Sequence, residues 1–90
     1  MSKVEIYSSE LCGFCWAAKR LLDNKKVVYE EYSVDMRRDV KHEMMERSGG
    51  RTSVPQIFID NHHVGGFDDI SEMERTGKLD IKLGLSDLKL

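Results

Sequence analysis

Proline is nearly absent from this 90-residue chain: Pro55 stands alone. Cysteine is almost as scarce, with only Cys12 and Cys15, and Trp16 is the single tryptophan. Two cysteines separated by two residues cannot staple a small fold, because closing so short a loop takes little entropy from the unfolded chain. A disulfide-framework protein is therefore excluded. No apolar run approaches the roughly 20 residues that a membrane-spanning helix needs. The opening MSKVEIYSSE lacks the charged-then-apolar pattern of a secretory signal, so a cytoplasmic protein is expected. Neither sign of charge dominates: 14 Lys and Arg stand against 16 Asp and Glu, a net charge of −2. That excludes the basic footprint of a nucleic-acid binder and the like-charge block of a disordered tail. Neither nucleic acid nor membrane is an expected partner. Internal repeats and low-complexity stretches are also missing.

What remains suits one domain over residues 1–90, with hydrophobic residues at 40% and one core's worth of chain. Residues 3–8 alternate, with Val4 and Ile6 on one face and Glu5 and Tyr7 on the other, which reads as a strand. After a polar turn at 9–12, Phe14, Ala18, Leu21 and Leu22 recur at helical spacing, predicting a helix over about 13–25. Residues 27–33 form a second strand. Asp35 is the expected N-cap of a helix over about 37–48, with Val40 and Met44 on its inner stripe, Met36 just ahead of them, and Gly49-Gly50 at its end. Residues 55–60 form a third strand, and Asp60-Asn61-His62 turn the chain into a short fourth strand at His63-Val64. Asp68 or Asp69 caps a helix over about 69–76, and 79–83 add a last helical turn. No element is assigned to 85–90. The order β-α-β-α-β-β-α predicts an α/β fold: a four-stranded mixed sheet flanked by helices on both faces, its first two strands parallel and its last two a hairpin.

Chemistry is concentrated at Cys12-Gly13-Phe14-Cys15. Thiol–disulfide exchange proceeds from the thiolate. A helix N-terminus, with its free N–H groups and partial positive charge, is where an anionic sulfur is most easily held. Cys12 falls at such a terminus, directly after a strand. Cys15 lies three residues on, turned to the same side but covered by the helix. Cys12 is thus the expected nucleophile and Cys15 the buried resolving thiol. The competing reading is half of a zinc site. It needs two further ligands, and the candidates His42, His62 and His63 do not have the usual spacing.

Three segments, VEIYSSELCGFC, RTSVPQIFID and HHVGGFDD, make the chain resemble the glutaredoxins, which share the thioredoxin fold. With the spacing between them they cover nearly the whole chain to about residue 83. Thioredoxins would show WCGPC and lack the GGFDD element. The resemblance implies a glutathione-dependent thiol–disulfide oxidoreductase, acting on protein–glutathione mixed disulfides and protein disulfides, with glutathione as co-substrate and no tightly bound cofactor. It implies a cis Pro55, with the backbone of Val54 paired to the cysteine of glutathione and Thr52 and Ser53 alongside. It implies that the glycines before Phe67, Gly66 included, let the N–H groups of Phe67 and Asp68 receive the γ-glutamyl carboxylate, and that Asp69 accepts from its ammonium. Phe14 would flank the nucleophile. Arg51 and Lys19 are the cations offered to the glycine carboxylate.

Two departures from the family pattern stand out. Ser9 occupies a position where many members carry lysine. Gly13 replaces the proline common in dithiol members and matches the CGFS motif of single-thiol, cluster-binding relatives. It motivates an alternative reading, an iron–sulfur carrier in which two chains share a cluster through Cys12 and glutathione; otherwise a monomer is expected. Trp16 directly after the second cysteine is unusual, and packing under the active-site helix is its expected role.

Overall fold

Val4–Ser8 forms β1, followed by α1 (Gly13–Asn24), β2 (Tyr29–Ser33), α2 (Arg38–Arg47), β3 (Gln56–Ile59), β4 (His62–Gly65), α3 (Phe67–Arg75) and α4 (Lys78–Lys82). The computed structural model describes residues 2–85, and the rest of the unassigned tail lies outside the described residues. The strands lie in the order β2-β1-β3-β4. β1 runs parallel to β2, with Val4 opposite Tyr29, and antiparallel to β3, with Ile6 opposite Ile57. β3 and β4 form the hairpin, with a register shift between Ile57 and Phe58.

The sheet is mixed and covered on both faces, as expected. On one face Val4, Ile6, Ile57 and Ile59 pack with Ala18 and Leu22 of α1, Ile70 of α3 and Leu79 of α4. On the other, Tyr7 and Phe58 pack with Met44 of α2. Each fully buried Leu or Ile of this set contributes about 2 kcal/mol of transfer free energy.

Several local expectations are corrected. The alternation in β1 does not divide it into buried and exposed faces, because α2 covers the second face. All five residues are buried, Glu5 to 4% exposure. Glu5 is satisfied there by Arg47, whose Nη2 and Nη1 reach its two oxygens at 2.9 and 3.3 Å, and by the Tyr32 hydroxyl at 2.9 Å. The second strand begins at Tyr29, since Lys26 turns left-handed (φ 60°) and Val28 projects into solvent. Asp35 does not cap α2, whose N-cap is Arg37 with no side-chain cap bond. Met36 packs on nothing: it is left-handed (φ 53°) and fully exposed. The hairpin turns through Asp60 and Asn61, both left-handed, so His62 already belongs to β4. α3 starts two residues early, at Phe67, with Gly66 as N-cap and Asp69 within its first turn.

Candidate active site

Cys12 is the N-cap of α1, in an extended conformation that lets its sulfur fold back over the first turn. Its Sγ accepts the N–H of Cys15 at 3.1 Å, the bond that a Ser or Asp cap makes in other helices. It also donates to the carbonyl of Val54 at 3.5 Å. Cys12 is half-buried, whereas Cys15 is fully buried, and both are free thiols. Burial pushes the Cys15 thiol up to about 12, with the adjacent Cys12 sulfur adding to the effect. At neutral pH Cys15 is therefore a protonated thiol.

Beside Cys12 lies an open cleft of about 360 Å³, lined by Phe14, Arg51, Ser53, Val54, Pro55, Gly66, Phe67, Asp68 and Asp69. These nine come from three separate segments, and each was a candidate from the sequence. Cys12 stands at the rim. The Val54–Pro55 bond is cis. The Val54 carbonyl faces the Cys12 sulfur, and among the described residues its N–H has no hydrogen-bond partner. One wall is Phe14 stacked on Phe67, with ring centroids 5.7 Å apart. Across the cleft Arg51 Nη2 stands 3.8 Å from Asp69 Oδ2.

The floor depends on two glycines. Gly65 has φ +123°, and a Cβ there would lie 2.1 Å from Asp69 Oδ2. A Cβ on Gly66 would press on the Pro55 carbonyl at 3.3 Å. Their absence lets Asp69 Oδ2 accept the N–H of Gly66 at 2.8 Å, which closes the first turn of α3. The N–H groups of Phe67 and Asp68 are left free of helical partners, as at any helix start.

Beneath the cleft a buried relay ties the hairpin to the loop before Pro55. Gln56, with no exposed surface, donates from Nε2 to the Ser53 carbonyl at 3.0 Å and to its hydroxyl at 3.3 Å. A carbonyl can only accept, so the amide nitrogen must face Ser53 and Oε1 must face His63 Nε2, 2.6 Å away. His63 therefore carries its proton on Nε2. Burial, and then the nearby Arg51 charge, hold the imidazole below its usual range, with Asp69 opposing.

Lys19 does not reach the cleft. Its ammonium bonds Glu31 at 2.7 Å and lies 4.0 Å above the Trp16 ring. Trp16 does not pack under the helix; it is 52% exposed, and its Nε1 donates to the Glu10 carbonyl at 2.9 Å. Ser9 bonds Asp35 at 2.6 Å. The Gln56–His63 relay and the Asp35 contacts escaped the sequence reading. Side-chain bonds between segments 7 to 26 residues apart leave no periodic trace, and only the unusual Trp16 was a signal.

A sequence model described as Glutaredoxin matches residues 4–64. The chain is 49% identical over 76 residues to Glutaredoxin 1 of Rickettsia prowazekii, covering 83% of this chain and 80% of that one. It is 48% identical over 80 residues to Glutaredoxin 3 of Escherichia coli K12, covering 89% and 95%. The fold superposes on the crystal structure of a buckwheat glutaredoxin–glutathione complex with a TM-score of 0.83 at 29% identity, covering 92% of this chain and 77% of that one. For the solution structure of a glutaredoxin from Brucella melitensis the TM-score is 0.79 at 41% identity, covering 97% and 94%.

Proposed function

This chain belongs to the glutaredoxin family, and on that premise we propose that it reduces protein–glutathione mixed disulfides and protein disulfides at the expense of glutathione. One observation carries the reading: the half-buried sulfur of Cys12, capping α1, stands 3.5 Å from the Val54 carbonyl beside a cleft lined by both the Arg51 cation and the free start of α3. Glutathione has a cysteine flanked by two terminal carboxylates and one ammonium. Its cysteine backbone would pair with Val54, its glycine carboxylate with Arg51, its γ-glutamyl carboxylate with the N–H groups of Phe67 and Asp68, and its ammonium with Asp69. A solved relative of the same fold is a glutathione complex, which supports this assignment.

The Cys12 thiolate attacks the glutathione sulfur of a protein–glutathione disulfide. The old S–S bond breaks, the protein leaves as a thiolate that takes up a proton, and Cys12 is joined to glutathione. A second glutathione thiolate then attacks the glutathione sulfur, releasing oxidised glutathione and restoring Cys12. Cys15 can instead attack Cys12, releasing glutathione and closing a disulfide that two further glutathiones reduce. Full burial of Cys15, which pushes its thiol up, favours the glutathione route. The protein works as a monomer in a reducing compartment such as the cytosol. Glutathione-dependent reduction of a small mixed disulfide tests the proposal. Turnover is expected to vanish in Cys12→Ser and to survive in Cys15→Ser; full turnover in Cys12→Ser would refute it.

One feature favours the iron–sulfur reading. Gly13 is exposed, and outside its own helical turn and chain neighbours nothing lies within 4 Å of where a Cβ would stand, which leaves room beside Cys12 for a second copy. Cys12 is the thiol each chain could supply, with glutathione thiolates as the other ligands. Anaerobic reconstitution with iron, sulfide and glutathione that yields neither cluster absorbance nor a dimer removes this alternative.

A further inference from the structure

The segment just before Cys12 is gripped from two sides. The Glu10 N–H donates to Asp35 Oδ2 at 2.9 Å, and the Glu10 carbonyl accepts from Trp16 Nε1 at 2.9 Å. The Ser9 hydroxyl takes the other oxygen of Asp35 at 2.6 Å, while the Ser9 carbonyl accepts the N–H of Cys12 at 3.3 Å. A stretch that belongs to no helix or strand is thus tied to the β2–α2 connection through Asp35 and to α1 through Trp16.

Trp16 is itself held in place. Lys19 Nζ lies 4.0 Å from the centre of its ring and 2.7 Å from Glu31 Oε2, and the same Glu31 oxygen accepts from the Ser8 hydroxyl at 2.6 Å. The ring face is covered by an ammonium anchored on β2, and the ring's one donor is committed to Glu10. A half-exposed tryptophan that belongs to neither core cluster accounts poorly for itself as a packing residue.

We infer that Trp16 and Asp35 are positioning residues for thiol–disulfide exchange, clamping the two peptide groups of Glu10 and so fixing the backbone from which Cys12 attacks. The inference rests on Cys12 being the nucleophile proposed above. Exchange requires the attacking sulfur to meet the scissile S–S bond in line, and small misplacements of a reacting group are costly. A free 9–11 segment would let the capping residue shift with it. The glutathione cleft is built on other segments, 51–55 and 66–69 together with Phe14. Loosening the clamp therefore acts on the chemical step and spares glutathione binding.

Trp16→Phe keeps an aromatic ring and removes the donor; Asp35→Ala removes both acceptors. Each is expected to lower kcat for the small mixed disulfide about three- to ten-fold, the span of one backbone hydrogen bond, with KM for glutathione within about two-fold of wild type. The double variant is expected to fall little further than the poorer single one, because either loss frees the same segment ahead of Cys12. Independent structural damage would instead multiply the losses and raise KM. Alkylation of Cys12 by iodoacetamide, in a Cys15→Ser background without glutathione, should slow in the same order. Unchanged alkylation and turnover in all three variants, beside a dead Cys12→Ser, overturn the clamp and leave the proposed activity standing. A wild type without turnover overturns the activity, and alkylation then still decides the clamp.

Discussion

Replacing Gln56 by leucine keeps its volume and removes the relay between hairpin and cleft. Three contacts are lost: two bonds from Nε2 to Ser53, at 3.0 and 3.3 Å, and the 2.6 Å bond from His63 to Oε1. Ser53 is exposed, so water can replace its partner. His63 is half-buried against the Phe58 ring, 5.0 Å away, and its Nε2–H is partly stranded. Two net hydrogen bonds at about 1 kcal/mol each give a loss of about 2 kcal/mol. For a domain of this size that lowers Tm by about 10 °C. The functional effect is separate. Ser53 precedes the residue whose backbone faces Cys12, so a released loop should weaken glutathione binding and raise its KM about five-fold, with kcat changed less. A thermal melt and a glutathione titration of turnover measure both. A lower Tm with an unchanged KM would refute the argument that the relay sets the Val54 rung. Gln56→Glu sharpens the test, since it keeps an acceptor for His63 and puts a repelling oxygen against the Ser53 carbonyl.

Four further outcomes are expected. Arg47 is the main cause holding the Glu5 carboxyl below its ordinary 4.5, with burial opposing it. Stability from this pair is fully present above about pH 4.5 and is lost as pH falls through the lower folded value, so acid melts of Glu5→Gln should show a flatter slope there. Arg47→Met, which leaves Glu5 charged with its side chain 6% exposed, should cost about 3 kcal/mol at pH 7 by denaturant titration. Gly65→Ala meets both a φ of +123° and the Asp69 carboxylate; it should destabilise by about 2 kcal/mol and raise KM for glutathione, and a KM equal to wild type would show that Asp69 is not needed where it stands. At pH 8 iodoacetamide should modify Cys12 alone in the native protein and both cysteines once unfolded, as read by mass spectrometry, because Cys15 is buried and its thiol is pushed up to about 12.

The resemblance to the glutaredoxins carried the cleft residues. The alternation and helical spacing of residues 3–25, the lone Pro55 and the paired glycines at 65 and 66 carried the fold class and the order of elements. They are legible because each is a local constraint: a period, a backbone angle, or a sulfur at a helix start. The places where expectation and structure part are those where a distant segment supplies the partner. Glu5 reads as a solvent-facing residue, and only the docking of Arg47 from α2 makes its burial tolerable. Asp35 reads as a helix cap by its position, but the return of β2 beside β1 brings it to Ser9 and Glu10, which outcompete the helix start. Lys19 reads as a cation for a ligand, and a neighbouring strand's Glu31 takes it instead. Local sequence determined what each segment is. The tertiary structure decided which polar groups meet, since a hydrogen bond between segments depends on their relative placement and leaves no period in either one.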